Sequence, residues 1–198
     1  PEDARYLWVA ADQQRVLQLL MIGRLGNQIF QWASANGIAY EHGMTPCVVG
    51  GSMSRVFVGP FTPPQCRRPR APAVGVSAWK HAVFEDLAIP PHAAVVAPLG
   101  NPDEGAGGGA FLQSYKYFRK LPVQATRAAL RFLPVHQQQA EVFIKKFAGT
   151  VTVGIHVRHG DLVNIGYIKF PPPSYFKTAK TRFRDKYGLD VQFVVASD

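Results

Sequence analysis

This 198-residue chain has few cysteines, fewer acidic than basic side chains and no long apolar run. Its only cysteines are Cys47 and Cys66. Two thiols are too few for the four-ligand zinc sites and dense disulfide frameworks of thiol-rich chains. A single disulfide between them stays open in an oxidising compartment. No apolar stretch approaches the ~20 residues that cross a bilayer as a helix, and no signal peptide is visible. Acidic residues number 13 against 22 Lys+Arg, for a net charge of +9. That balance suits an anionic partner such as a nucleotide, a nucleic acid or a membrane surface, and it suits a passive basic surface as well. The glycine run at 105–109 lacks the Lys-Ser/Thr of a phosphate-binding P-loop and reads as a flexible turn. The chain opens at Pro1 without a Met and stops at Asp198 directly after an apolar run. Both ends therefore read as cut, and a fragment of a longer protein is expected.

What is present reads as a soluble α/β chain. Hydrophobic residues make up 47% and charged residues 18%, ordinary values for a chain that buries a core. Residues 16–22 (VLQLLMI) are expected as a buried strand, 23–28 (GRLGNQ) as a glycine turn, 29–41 as a helix and 45–49 as a second strand. This is the βαβ order. From 50 to 109 the pattern weakens around a proline-rich basic loop at 60–72, which reads as a surface connection. An aromatic-rich segment at 110–118 follows, then helices over 123–147 broken near Pro134. A second α/β unit is expected from 150, with a strand to 158, a helix over 174–187 and a strand over 191–196. In that helix Tyr175, Phe176, Ala179, Phe183 and Tyr187 form an apolar stripe. Lys177, Lys180, Arg182, Arg184 and Lys186 lie mainly outside it, as a solvated face or a surface that steers polyanions. The composition shift near 149 predicts a domain boundary.

Two segments carry candidate chemistry. In GRLGNQ, two glycines three apart let the backbone turn sharply and approach a ligand. Asn27 and Gln28 then lie at a helix N-terminus, whose free N–H groups favour anions, and Arg24 adds charge. A plain turn with an Asn cap reads equally well from these residues. The segment TVTVGIHVRHGD at 150–161 is more specific. A β-branched run that delivers His156, Arg158, His159 and Asp161 at its end is poor core material, but it holds charges rigidly at a sheet edge. Strand alternation puts His156 and Arg158 on one side, with Val157 and His159 on the other. Arg158 is the natural diphosphate ligand, because a guanidinium donates in a fork and stays charged. Asp161 would orient it or receive a proton. A zinc site of His156, His159 and Asp161 is disfavoured by their opposed faces and the nearby Arg. A structural Arg–Asp pair remains open.

The segments GRLGNQIFQWASANGIAYEHG, FLQSYKYF, GIHVRHGDLV and the terminal FVVASD occur in the order found in α1,2-fucosyltransferases. On these motifs the chain resembles that family over nearly all of 19–198, interrupted at 50–109. The resemblance implies a GT-B-like α/β fold of two Rossmann-like domains. Residues 1–149 would form the acceptor-side domain and 150–198 the start of a truncated GDP-fucose-binding domain. It implies a galactoside 2-α-L-fucosyltransferase that moves fucose from GDP-β-L-fucose to the 2-hydroxyl of a terminal galactose with inversion. No metal or other cofactor would be required. The setting would be the Golgi lumen, behind an N-terminal signal-anchor that this chain does not contain. By the same resemblance, Arg158 would bind the GDP diphosphate with His156 beside the nucleotide, and Asp161 would support the Arg or the sugar. Asn27, with Arg24, Gly26 and Gln28, would sit across an interdomain cleft near the phosphates and fucose. Ser197 and Asp198 would begin the next nucleotide-side loop. The assigned catalytic set is Arg158, Asp161 and Asn27.

The chain departs from the family pattern at His159, where the relatives usually carry a second Arg. A histidine holds a charge there only below its pKa, so weaker donor binding that improves in mild acid is expected. Too few strands follow residue 150 to complete a GT-B nucleotide domain, so a partial and inactive pocket is a second expectation. A non-catalytic module that binds a GDP-sugar or glycan is the alternative from a different class. Nucleic acid is not expected as a partner, because no basic patch interleaves with aromatics in a known recognition pattern.

Overall fold

The structure is a computed structural model that describes residues 15–59, 61, 74–77, 87–89, 91, 95–99, 111–158, 160 and 170–197. The chain divides into two compact units, Pro1–His136 and Gln137–Asp198. The expected boundary at 149 lies in a turn after that division, where Gly149 adopts φ +83°.

In the first unit the apolar run forms strand β1 (Val16–Leu20), followed by helix α1 (Leu25–Glu41) and strand β2 (Thr45–Val49). Strands β3 (Val74–Ser77) and β4 (Val95–Leu99) complete a parallel sheet in the order β2-β1-β4-β3. Leu17 and Leu19 alternate with the half-buried Val16 and Gln18 and the exposed Leu20 and are fully enclosed, as a sheet that carries a helix requires. Helix α1 buries every residue from Gln31 to Ala39. It is enclosed nearly all round, which explains why its apolar residues fit a single stripe poorly. Its end is set by Gly43 at φ +60° and by the bond from Met44 N–H to Ala39 C=O at 2.8 Å, a Schellman closure. Lys120 Nζ donates to Glu41 Oε1 at the same end. Both partners are exposed, so the pair contributes little. The hydrogen bond from Lys120 lowers the Glu41 carboxyl below its usual range. That small contribution is present above the unfolded carboxylate value and is lost as pH falls through the folded one.

Three further pieces close this core. A 3₁₀ turn over Met53–Arg55 leads to Phe57, which bridges antiparallel to Phe132. Trp32, Phe57 and Phe61 form an aromatic cluster with ring centroids 5.5 Å and 6.3 Å apart along the chain of contacts. Helix α2 (Val123–Ala129) buries Ala125 and Ala129. A second 3₁₀ turn, Tyr115–Phe118, lies on α1, with Phe118 edge-on to Phe30 at 6.0 Å. Cys47 is buried in β2 and disulfide-bonded; Cys66 lies outside the described residues.

Helix α3 (Pro134–Lys145) runs across the division between the units and buries no residue. In the second unit, strand β5 (Thr152–Val157), helix α4 (Pro173–Tyr187) and strand β6 (Gln192–Ser197) form a βαβ unit. Its two strands pair in parallel from Thr152↔Gln192 to Val157↔Ser197. Helix α4 starts with a proline in its first turn, where the missing N–H costs nothing, and stops at Gly188, φ +92°. The expected stripe is only partly covered: Phe176 and Ala179 are half-buried, whereas Tyr175, Phe183 and Tyr187 are exposed.

The chain is therefore mixed α/β with small parallel sheets. Two expectations are corrected. Helix α1 begins at Leu25 rather than 29, because Gly23 alone reverses the chain and the rest of GNQ joins the first helical turn. The weakly patterned stretch at 50–109 contains two strands, β3 and β4.

Candidate functional site

Open parallel sheets hold ligands at the carboxyl ends of their strands, where neighbouring strands connect in opposite directions. In the first unit β1 lies between β2 on one side and β4 on the other, so the residues after Leu20 occupy that position. Here Gly23 adopts φ +72°. A Cβ at Gly23 would stand 2.5 Å from Asn27 Nδ2 and 3.2 Å from Phe111 Cε1, so both conformation and space demand glycine.

Two buried glutamines one helical turn apart hold this exit. Gln31 Nε2 donates to Ile22 C=O at 3.0 Å, and Ile22 N–H donates back to Gln31 Oε1 at 2.8 Å. Gln28 Nε2 donates to Gly23 C=O at 2.8 Å, while its Oε1 accepts from Ser52 N–H at 2.8 Å. Asn27 Oδ1 accepts from Gln113 Nε2 at 2.6 Å, which brings the FLQSYKYF segment onto the turn. That segment is itself fixed, because Ser34 Oγ donates to the carbonyl of Leu112, a fully buried residue at φ +49°. A leucine in the left-handed region is strained, and the surrounding contacts maintain it.

Among the residues expected here, Gln28 and Asn27 thus engage the scaffold, and Arg24 and Gly26 are exposed. Arg24 supplies no side-chain cap to α1, whose first turn carries no acidic residue. The sequence reading missed Gln31, Ser34, Leu112 and Gln113. Gln31 carried one signal, a polar residue set between Phe30 and Trp32. Replacing Gln31 by Leu strands both backbone groups of Ile22 and is expected to cost about 2 kcal/mol, read as a lower urea midpoint.

In the second unit the alternation of β5 comes out as expected. Val153, Ile155 and Val157 are half-buried, and Thr152, Gly154 and His156 are exposed. His156 and Arg158 therefore share the open side. Arg158 leaves the carboxyl end of β5, and Ser197, the register partner of Val157, ends β6 beside it. The sheet thus brings Arg158 and Ser197 to one edge. His159, Asp161 and Asp198 lie outside the described residues. Below that edge a cleft of about 190 Å³ runs between β5 and α4, lined by His156, Tyr175, Phe176, Lys180 and Phe193 among others. Lys180 and Arg184 both rest on the Phe193 ring, 5.4 Å and 5.7 Å from its centroid.

The chain matches no family model and no curated protein. The resemblance to α1,2-fucosyltransferases therefore rests on its four sequence motifs alone. Among the described residues no three His, Cys, Asp or Glu side chains gather to hold a metal ion.

Proposed function

We propose that this protein is an inverting glycosyltransferase of GT-B architecture. It moves fucose from GDP-β-L-fucose to the 2-hydroxyl of a terminal galactose, as the motif resemblance implies. In this reading the N-terminal unit serves the acceptor and the C-terminal unit the nucleotide, in the lumen of the Golgi. The observation that carries it is the exposed Arg158 at the carboxyl end of β5, beside Ser197 at the end of β6.

The chemistry suits that edge. The acceptor oxygen forms a bond to the anomeric carbon of fucose while the bond from that carbon to the β-phosphate oxygen breaks. The electron pair leaves with GDP, and the acceptor proton passes to a base, Asp161 or His156. Charge grows on the departing diphosphate, so a fixed guanidinium stabilises the transition state more than the ground state. Donor recognition through the diphosphate needs no bound metal in this reading.

The test is GDP release by the full chain, with and without a β-galactoside. Acceptor-dependent release with a fucosylated product supports the reading. Saturable GDP-fucose binding without turnover would identify the non-catalytic module instead. A second experiment addresses His159→Arg. The replacement is expected to lower the donor KM at neutral pH and to flatten its improvement towards mild acid. An unchanged KM and pH profile would remove His159 from the donor site.

A further inference from the structure

The end of the second unit opposite Arg158 carries a surface that donor chemistry does not use. Helix α4 bears Lys177, Lys180, Arg182, Arg184 and Lys186 against the single acid Asp185. Among the described residues no carboxylate pairs with these cations. At its C-terminal end Arg182 and Lys186, one turn apart, run beside Phe183 and Tyr187, whose rings stack at 6.2 Å and 16°. Lys186 Nζ lies 4.9 Å from the Tyr187 centroid. The following turn, opened by Gly188 at φ +92°, presents Leu189 at 84% exposure, the most exposed large hydrophobic side chain among the described residues. Val151, whose carbonyl accepts from Gln192 N–H at 3.0 Å, adds a second exposed aliphatic group at this amino-terminal edge. Asp190 is the acid nearest the tip in sequence.

We infer that the α4–β6 turn is a docking surface for an anionic lipid membrane. Phosphates of a nucleic acid would use the cations but gain nothing from Leu189, and the stacked rings already face each other. A bilayer interface uses both halves. The leucine and the aromatic edges enter the headgroup–acyl boundary, while Arg182 and Lys186 extend to lipid phosphates along their apolar stems. Each cation near such a surface contributes roughly fivefold in partitioning, screened by salt. The contact is distinct from any membrane-spanning anchor and lies at the opposite end of the sheet from Arg158, so it does not depend on the proposed activity.

Cosedimentation of the full chain with phosphatidylcholine vesicles, with and without phosphatidylserine, tests this. Binding is expected only with phosphatidylserine, and is expected to weaken as salt rises. Leu189→Asp is expected to reduce partitioning about tenfold. The pair Arg182→Glu and Lys186→Glu is expected to abolish it, and Asp190→Lys to raise it severalfold. All four positions are exposed, so the variants are expected to keep the parental circular dichroism and melting temperature. Absence of binding, equal binding to both vesicle types, or indifference to all these variants would overturn the proposal. So would a Leu189-dependent dimer in lipid-free solution, which would assign the patch to a second copy of the chain.

Discussion

Replacing Arg158 by Ala is expected to lower kcat/KM for GDP-fucose about 10²–10³-fold, the usual cost of removing one preorganised donor from a developing anion. The loss is expected mainly in kcat, because in the proposed reaction the guanidinium meets more charge on departing GDP than on the bound donor. Arg158→Lys keeps the charge but loses the planar fork, so an intermediate rate is expected. Arg158 is exposed at a strand end, so the melting temperature is expected to stay close to that of the parent. A rate loss with unchanged melting separates a role in chemistry from a structural Arg–Asp pair. Full activity in Arg158→Ala would remove the diphosphate assignment.

Gly37→Ala is expected to destabilise the first unit by about 3 kcal/mol, the upper range for forcing extra atoms into a packed core. The direction is opposite to the ordinary one. Alanine in a helix interior normally gains about 1 kcal/mol over glycine. At Gly37, however, an added Cβ would overlap the Tyr117 carbonyl oxygen and stand 2.5 Å from Phe118 Cα. Both neighbours are backbone atoms of the 3₁₀ turn, so relief requires moving that turn away from α1. The same change at Gly26, where a Cβ meets nothing within 4 Å, is expected to leave stability equal or slightly higher. Urea unfolding of the two variants gives the comparison. Equal stability for both would contradict the close approach of α1 to the segment around Phe118.

Sequence periodicity made some of this fold legible and hid the rest for identifiable reasons. The strands at 16–20, 45–49, 152–157 and 192–197 are β-branched or apolar runs bounded by turns, and the helix at 173–187 carries a clear stripe. Strands β3 and β4 were not legible. VGVS is short and contains a glycine, and VVAPL carries Pro98, which argues against a strand with two neighbours. The structure accommodates Pro98 because pairing between β4 and β1 ends at Leu17↔Val96, leaving Pro98 in register with β3 alone. The start of α1 is hidden because two glycines suggest a long turn, whereas only Gly23 needs a positive φ.

The candidate site divides in the same way. Alternation alone located His156 and Arg158 on the open side of β5, since that property is local to one strand. The work of Gln28, Gln31 and Gln113 depends on partners up to 86 residues away and has no periodic signature. Within GRLGNQ the structural-turn reading therefore accounts for Asn27 and Gln28, whose partners the sequence does not reveal. The glutamines hold the exit of β1, while Arg24 and Gly26 beside it are exposed.

The most direct measurement is a site-resolved NMR titration of the full chain with GDP-fucose. Saturable shifts are expected at the amides of His156, Arg158 and Ser197, and Arg158→Ala is expected to abolish them. No saturable shift in a folded sample, or saturation that leaves the β5–β6 edge unmoved, would contradict a GDP-fucose site there.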